Sequence, residues 1–579
     1  MQLVLIETSG NQNYIFATNK LRENIGASEL TYLAGTKWLI AAVAKVDGNS
    51  RLDLWTDKGS KQLRDKLLDS KLNPSIEKTD FKVEIILAAS GKAMLLVEDR
   101  AKAQAIIRQV TLQALKEAPG LDISGVIQEF DWQQERSLEG AIKAIHQKFE
   151  ANRSQIPSPA MRFLRLPVVE ECASSGLPAN AIEKYGETRA ISLTSQQKTK
   201  AKQSGFDRIA TLFTSKYPQG NLANSLEILD SDFKEDNTDE RSRQVEWLGV
   251  VHADGNGLGK IFINFQEHLK QIQPKYTNRD YVNKLREFSL ALDACTEQAF
   301  LAALSVFQSN ESDAEILPIF PLILGGDDLT VICDGKLAIP FTKCFLTEFE
   351  TATQQNETIR DTAKVALKGD RLSACAGIAI IKPHFPFSVA YELAESLAKS
   401  AKKVKEIVVT KQGSDDTPYP CSALDFHIVY DSSGVELQQI RQRLEVDSGR
   451  TKLYRRPYVV TPSEDLAAAT GQDWVAAHHW NLLQHWIGIL QAKDESGKPQ
   501  LPNSQIYKLR EDLALGKEVV DSSYRLIRKR YQGRGITKLE GAENSLFVTE
   551  PSSNNGKSPE VYMTGLLDAI EAADFLISN

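Results

Sequence analysis

Leu324-Gly325-Gly326-Asp327-Asp328-Leu329-Thr330-Val331 is the stretch that decides the fold of this chain. Two glycines and two aspartates lie between two apolar runs, which is the pattern of a hairpin turn. Glycine permits a tight turn, and paired carboxylates supply the oxygen ligands that Mg²⁺ and Mn²⁺ prefer. The stretch therefore predicts a metal-binding hairpin, with an ordinary hairpin turn as the alternative.

A second stretch, Ala89-Ser90-Gly91-Lys92-Ala93-Met94-Leu95-Leu96, has the same apolar flanks and no carboxylate. Around each turn the predicted elements follow the order β-α-β-β-α-β, which is the ferredoxin-like pattern. The first copy has predicted strands at 2–8, 81–88, 93–98 and 121–130, with helices at 21–46 and 101–117. The second copy has predicted strands at 247–252, 317–324, 329–334 and 371–381, with helices at 281–303, 338–356 and 387–405.

The two copies can be aligned by their turns. Ser9-Gly10-Asn11 is placed opposite Asp254-Gly255-Asn256, and Ser90–Ala93 opposite Gly325–Asp328. In this alignment the first copy has serine, lysine or alanine wherever the second has aspartate. We infer a duplicated palm of the α+β class with one metal site, in the second copy.

The second copy collects the candidate site residues. In a βαββαβ sheet the first and third strands are antiparallel neighbours, so Asp254 is expected beside Asp327 and Asp328. Two metal ions held by such carboxylates activate an attacking hydroxyl and stabilise a leaving oxygen. The other candidates are glycines and an asparagine that would admit a nucleotide and two helical lysines that would reach its phosphates, namely Gly255, Asn256, Gly325, Gly326, Lys399 and Lys402. A solvated lysine face is the alternative for the last two.

The predicted domains are a degenerate palm (1–135), a helical and irregular connecting region (136–243), a palm with the Gly-Gly-Asp-Asp turn (244–432) and a carboxy-terminal helical domain (433–579). The polar stretches Ser195–Ser204, Asp230–Arg243 and Ser552–Lys557 are predicted loops. The basic run Arg525–Arg534 is either an RNA or subunit contact or a charged helix face.

The composition bounds the class of protein. The 579 residues are 42% hydrophobic and 25% charged, with a formal net charge of -7, which argues against nucleic-acid binding through bulk charge. The six cysteines form no CxxC pair, which fits reduced thiols in a reducing cytosol. We see no signal peptide and no apolar run of membrane-spanning length. A cytoplasmic protein without a membrane partner is expected.

Five motifs together resemble the second palm of the large, Cmr-type subunit of type III CRISPR effector complexes. They are His252–Gly259, Gly325–Asp328, Ser373–Ile378, Lys382–Pro386 and Ala401-Lys402. The run Gln12–Leu30 is similar to the first palm of that family. The resemblance spans residues 1–430, and the spaced set is specific where any one motif is not.

The resemblance implies an antiviral cyclase that joins ATP into 3′–5′ cyclic oligoadenylates and releases pyrophosphate. Asp254, Asp327 and Asp328 would be the catalytic metal ligands for Mg²⁺ or Mn²⁺, while Ser9 and Ser28 of the first palm would shape the acceptor pocket. The implied partners are the protein subunits and RNA of a CRISPR complex. The family's second first-strand aspartate is Asn256 here, and the absence of a His-Asp dipeptide predicts no HD nuclease.

Two other functions stay open at this point. The chain would be a scaffold subunit of an RNA-guided ribonucleoprotein if its palm binds nucleotide without converting it to product. It would be a GGDEF-like cyclic dinucleotide synthase if it used GTP, although such enzymes lack a duplicated palm.

Overall fold

Both turns join the second and third strands of an antiparallel sheet. The computed structural model describes residues 1–55, 60–155, 165–185, 187–217, 245–308, 317–411, 417–430, 436–531, 536–539, 544–550 and 560–576, with residues 157, 161, 163 and 229. The predicted loops Asp230–Arg243 and Ser552–Lys557, and Arg534 of the basic run, lie outside the described residues.

The first palm is a four-stranded sheet with the order β2-β3-β1-β4, in which all neighbours are antiparallel. Its strands are β1 (Gln2–Ser9), β2 (Val83–Ala89), β3 (Lys92–Val97) and β4 (Asp122–Glu129). Its helices are Asn11–Ile15, Leu21–Gly35, Lys37–Asp47, Ser60–Leu68 and Arg100–Glu117. The predicted helix over 21–46 is therefore two helices, which are separated at Thr36 where the backbone leaves helical geometry.

The connecting region is more regular than predicted. It consists of a helix (Ser137–Arg153), a hairpin of β5 (Ala179–Tyr185) and β6 (Glu187–Ser192), and a long helix (Leu193–Thr214). The prediction of a loop over Ser195–Ser204 is wrong because this stretch lies within the long helix.

Close packing explains that helix in spite of its polar sequence. It crosses the helix Leu21–Gly35 so tightly that a Cβ on Gly26 would stand 1.7 Å from the backbone oxygen of Lys198. A Cβ on Gly205 would stand 3.1 Å from Cβ of Glu29 and 3.2 Å from the backbone oxygen of Ile25. Small residues at the crossing bury a face that has few apolar side chains, so hydrophobic periodicity gave no signal.

The second palm repeats the strand order as β10-β7-β9-β8. Its strands are β7 (Leu248–Gly255), β8 (Ile319–Gly325), β9 (Asp328–Asp334) and β10 (Ala374–Ile381). Its helices are Leu258–Ile263, Phe265–Ile272, Asn278–Ala303, Gly335–Gln355, Glu357–Ala366, Phe387–Ala401 and Val404–Ile407. The predicted α+β class with two ferredoxin-like palms is confirmed.

Matching irregularities support the duplication. The pairing register of β2 with β3 shifts between Ile85 and Leu87, and that of β8 with β9 shifts between Pro321 and Ile323. In each hairpin the shift lies four residues before the last paired position, which is Ala89 in one copy and Gly325 in the other. Because bulges are specific features of a strand, the shared position supports the inferred duplication.

The register corrects the alignment of the two copies. Lys92 pairs with Ala89 as Asp328 pairs with Gly325, and Glu7 lies opposite Lys92 as Asp254 lies opposite Asp328. Glu7 therefore corresponds to Asp254, so the first copy does carry a carboxylate. Its Oε2 lies 3.2 Å from Nζ of Lys92, which means that an ion pair occupies the place of two aspartates.

Each palm covers the open edge of the other. Strands β2 and β8 are the edge strands at the interface. Ser28 of the first palm donates a hydrogen bond to the backbone oxygen of Leu322 in β8. In return Nε of Arg286 in the second palm donates to the backbone oxygen of Ile85 in β2, at 3.1 Å. Unpaired edge strands invite aggregation, so this reciprocal contact protects both sheets.

The second sheet continues across the predicted domain boundary at residue 432. The remaining strands are β11 (Ala423–Ile428), β12 (Glu445–Val446), β13 (Thr451–Lys452), β14 (Tyr458–Val459), β15 (Val548–Thr549) and β16 (Tyr562–Met563). β11 pairs with β10 in parallel and β14 follows it, while the other four form a small sheet. The prediction of a purely helical carboxy-terminal domain is therefore wrong, because this part also contains strands β12 to β16. Its helices are Leu437–Arg443, Gln472–Ala477, Trp480–Gln491, Asn503–Leu513, Lys517–Arg530 and Leu566–Ala572.

One described stretch, Asn278–Phe307, is long and apolar enough by length and composition to cross a membrane, which the sequence did not predict. Half of its most apolar window is buried inside the protein. Phe288, Leu292 and Phe300 belong to the main hydrophobic core. The core helix of a globular domain has the same apolar character, so this helix is weak evidence for a membrane span.

Candidate active site at the ends of two paired strands

Three aspartates converge where β7 ends and β9 begins. Asp254 in β7 lies directly opposite Asp328 in β9, and the backbone oxygen of Asp327 accepts a hydrogen bond from the N–H of Gly255 at 3.2 Å. A Cβ on Gly255 would stand 2.9 Å from that of Asp327, so glycine permits the close approach. The topology thus brings the three predicted carboxylates together.

Burial and neighbouring charges change the protonation of Asp327 and Asp328. Burial raises the pKa of Asp327 to about 8, and the charges of Asp254 and Asp328 add to the effect. Burial and Asp254 likewise raise the pKa of Asp328 to about 8, although Lys402 opposes the shift. Like charges held together at neutral pH are costly without a cation.

His252 lies beside Asp328, on the same strand that carries Asp254. Its Nδ1 lies 3.1 Å from Oγ1 of Thr330 and 3.4 Å from Oδ1 of Asp328. Burial lowers the pKa of His252 to about 4, so the ring is neutral at pH 7. A role for this histidine was not predicted from the sequence.

The donor set fits a divalent cation. Among the described residues, no group of three or more His, Cys, Asp or Glu side chains is arranged to hold a metal ion as it stands. Lys402 instead places its ammonium against Oδ2 of Asp254. However, Oδ1 of Asp328 is buried without a hydrogen bond, and hard oxygen ligands are those that Mg²⁺ and Mn²⁺ prefer. Asp254, Asp327 and Asp328 are the residues that would hold such an ion.

The metal-free protein is expected to lose stability as the pH rises from about 4 to about 8. A carboxyl group whose pKa rises on folding from 3.8 to about 8 contributes stability below the lower value, and that stability is lost through the higher one. Melting temperatures measured across this range in chelator should fall, and Mn²⁺ should restore them near pH 8. The double variant Asp327→Asn, Asp328→Asn should flatten the profile. An equally steep profile in that variant would contradict the assignment.

The two predicted lysines differ in exposure and in their ion-pair partners. Lys402 is 21% exposed and contacts Asp254, whereas Lys399 is 68% exposed and pairs with Glu395 at 2.8 Å on its own helix. The structure thus brings Lys402 to the carboxylates and leaves Lys399 on a solvated helix face.

The remaining candidates have structural surroundings of their own. Gly326 adopts a φ of +62°, which favours glycine. Asn256 is buried, and its Nδ2 donates to Oγ of Ser373 at 3.1 Å and to the backbone oxygen of Cys421 at 3.1 Å. Ser9 ends β1 opposite Asp122. Ser28 uses its hydroxyl at the interface between the palms. For Ser9, Ser28 and Asn256 a nucleotide contact stays a prediction.

The first palm borders the site through aromatic contacts that the sequence analysis missed. The ring of Phe16 stacks on Tyr391 with centroids 4.2 Å apart, and Tyr391 packs edge-on against His252 at 5.4 Å. Burial raises the pKa of Tyr391 and the charge of Asp328 adds to it. Tyr391, Glu395 and Lys402 recur at helical spacing on one face, which is the signal that would have found Tyr391.

A family comparison agrees with this geometry. The family model for Cas10/Cmr2, second palm domain, matches residues 247–407. The segment includes all three aspartates and Lys402.

Residues 247–407 are similar to the second palm domain of Cas10/Cmr2 proteins. The resemblance inferred from the motifs is confirmed over this segment. The Cas10/Cmr2 palm is about a quarter of the chain, so the match describes the domain with the Gly-Gly-Asp-Asp turn.

Solved structures resemble this chain at low sequence identity. A Csm1-Csm4 cassette in complex with AMPPNP is 12% identical, with a TM-score of 0.43 over 93% of this chain and 64% of that one. Csm1 of T. onnurineus is 11% identical, with a TM-score of 0.43 over 92% and 64%. The apo type III-B Cmr-beta structure is 10% identical, with a TM-score of 0.45 over 99% and 81%. The chain spans 64% of the length of the first two structures. No curated protein matches it.

Proposed function

We propose that this chain is a nucleotidyltransferase that joins ATP into cyclic oligoadenylates for antiviral defence. It would act in the cytoplasm as the large subunit of a type III CRISPR complex, with RNA and smaller protein subunits as partners. The observation that carries the proposal is the convergence of Asp254, Asp327 and Asp328 inside a Cas10/Cmr2-type palm.

The chemistry is the attack of the 3′-hydroxyl of one nucleotide on the α-phosphate of another. A new P–O bond forms at the α-phosphorus, the bond to the β-phosphate oxygen breaks, and pyrophosphate leaves. Mg²⁺ or Mn²⁺, when bound by the three aspartates, supplies a Lewis acid for the phosphate oxygens and activates the hydroxyl. Catalysis of this type depends on positioning and charge stabilisation.

The side chains of the chain supply the rest of the site. The ammonium group of Lys402 would neutralise phosphate charge after it moves away from Asp254. His252 lies 3.4 Å from Asp328 and is neutral, so it adds no charge to the site. Phe16 and Tyr391 form an apolar wall at the border with the first palm, where Ser9 and Ser28 would shape the acceptor pocket. Gly326 leaves open space at the turn, where a nucleotide would approach, whereas Gly255 and Gly325 allow close packing against Asp327 and Asp293.

The test is turnover of labelled ATP by the pure chain in Mn²⁺. We expect products that resist phosphatase, as cyclic oligonucleotides do. Parallel reactions with GTP separate this function from a GGDEF-like dinucleotide synthase. No product from either nucleotide, with and without co-expressed partner subunits and RNA, would contradict the proposal.

One observation favours the second candidate function, a scaffold that binds nucleotide without turnover. Lys402 neutralises Asp254 without a metal ion, and the raised pKa values of Asp327 and Asp328 let both be protonated near pH 7. The helix Lys517–Arg530 ends in three basic residues that would suit an RNA contact. RNA that co-purifies with a chain inactive on ATP would favour the scaffold.

A further inference from the structure

The backbone N–H and the backbone oxygen of Gly326, the residue before both turn aspartates, form hydrogen bonds with the helix Asn278–Ala303. Oδ1 of Asp293 accepts a hydrogen bond from the N–H of Gly326 at 3.0 Å. Oγ1 of Thr296 donates to the oxygen of Gly326 at 2.6 Å. Residues three apart lie on one face of a helix, so this helix grips the turn with one surface.

Arg64 of the first palm binds the same helix, through Asp293 and Glu297. Nη1 of Arg64 donates to Oδ2 of Asp293 at 2.5 Å and to Oε2 of Glu297 at 3.1 Å, while its Nη2 donates to Oε1 of Glu297 at 2.9 Å. The three side chains are 10%, 21% and 12% exposed, in the order Arg64, Asp293 and Glu297. Asp293 therefore binds Gly326 with one oxygen and Arg64 with the other.

The charges make the arrangement dependent on Arg64. Asp293 and Glu297 lie one helical turn apart and would repel each other without a cation. Burial alone would lower the pKa of Arg64, but both carboxylates outweigh it and raise the pKa. A partly buried carboxylate that loses its arginine partner gains by turning to water, and Asp293 would then release the N–H of Gly326.

We propose that Arg64 is a positioning residue of the first palm that holds the Gly-Gly-Asp-Asp turn in its metal-binding geometry through Asp293. The inference rests on the proposed function and deepens it. The first palm is then more than a wall, because it determines where Asp327 and Asp328 stand.

Arg279 offers a matched control. It lies with Asp293 on the helix Asn278–Ala303 and also bridges to the first palm. Its Nη1 is 2.7 Å from Oε1 of Glu84, and its Nε is 2.8 Å from Oε1 of Glu77. Fourteen residues separate it from Asp293, which is about 21 Å along a helix. Arg279→Met removes a bridge between the palms without touching the turn.

The experiment compares Arg64→Met, Arg64→Lys and Arg279→Met in the full chain. Hydrogen exchange over residues 324–328 should quicken in Arg64→Met and keep the wild-type rate in Arg279→Met. Mn²⁺ affinity, titrated by electron paramagnetic resonance, should weaken by about tenfold in Arg64→Met, the size typical of a residue that orients a metal ligand. The KM for ATP should stay unchanged while excess Mn²⁺ restores kcat. Arg64→Lys should recover part of the loss because it keeps the charge but cannot bridge both carboxylates.

Wild-type exchange and Mn²⁺ affinity in Arg64→Met would overturn the inference, and so would equal losses in Arg279→Met. If Arg64→Met does not fold, Arg64→Lys decides the inference, because it keeps the charge but cannot bridge both carboxylates, and wild-type exchange in that variant would overturn it. The exchange measurement needs neither metal nor turnover. A wild-type chain that makes no product would therefore defeat the proposed function while the positioning role is still decided.

Discussion

Replacing Asp327 and Asp328 together by alanine is expected to reduce nucleotide joining by more than about 1,000-fold, or about 4 kcal/mol in transition-state free energy. Both side chains belong to the only carboxylate cluster at the strand ends of the described second palm, and two-metal chemistry depends on such ligands. Formation of labelled product from ATP measures the loss.

The same variant should remain folded. Burial raises the pKa of both aspartates, which means that their charged forms are unfavourable in the metal-free fold. The melting temperature near pH 8 in chelator should therefore be unchanged or higher. A variant that is inactive because it unfolds would give no support to the assignment of the site.

Glu7→Gln is the control from the first palm, since Glu7 corresponds to Asp254 in the structural register. Its partially exposed ion pair with Lys92 contributes at most about 1 kcal/mol to stability. We expect this variant to keep product formation within about tenfold of the wild type, a change of about 1.4 kcal/mol or less. If Glu7→Gln lost product formation while the double aspartate variant kept it, the assignment of the metal site to the second palm would be wrong.

Replacing Lys402 by methionine is expected to lower kcat/KM for ATP by about 10- to 100-fold, or about 1.4–2.7 kcal/mol. The ammonium contacts Asp254 and is largely sheltered from water, so it is placed to meet phosphate in a site of low dielectric constant. Steady-state kinetics of the pure chain measure the change.

Lys402→Met should have the opposite effect on metal binding. Because the ammonium competes for Asp254, its removal should tighten Mn²⁺ binding in the absence of nucleotide. Lys399→Met is the matched control three residues away, and it should change kcat/KM by less than about twofold because exposed ion pairs contribute little. Equal effects of the two substitutions would contradict the role given to Lys402.

The topology of both palms could be predicted because it depends on local signals. Strand and helix periods and the two turns give the βαββαβ order, and antiparallel pairing then brings Asp254 to Asp328. The match of Glu7 with Asp254 could not be found this way. The similar triplets at 9–11 and 254–256 suggested an alignment two residues away, and only the pairing register reveals the correct one.

The site residues that the sequence missed act through tertiary contacts. Tyr391 gains its role from contacts with Phe16 and His252, which both lie far away in the chain. Asn256 stands in a motif that suggests a nucleotide contact, yet its amide is engaged with Ser373 and Cys421 in the core. Residue type alone does not show which way such a side chain points.

The reciprocal covering of β2 and β8 has a consequence for biosynthesis. Ile85 of β2 receives its partner Arg286 from a helix that lies 201 residues later in the chain. At a translation rate of roughly 5–20 residues per second, the edge of the first sheet leaves the ribosome roughly 10–40 seconds before its cover exists. During that interval the nascent first palm carries an open edge strand, so slow codons between the palms should increase its aggregation and chaperone dependence.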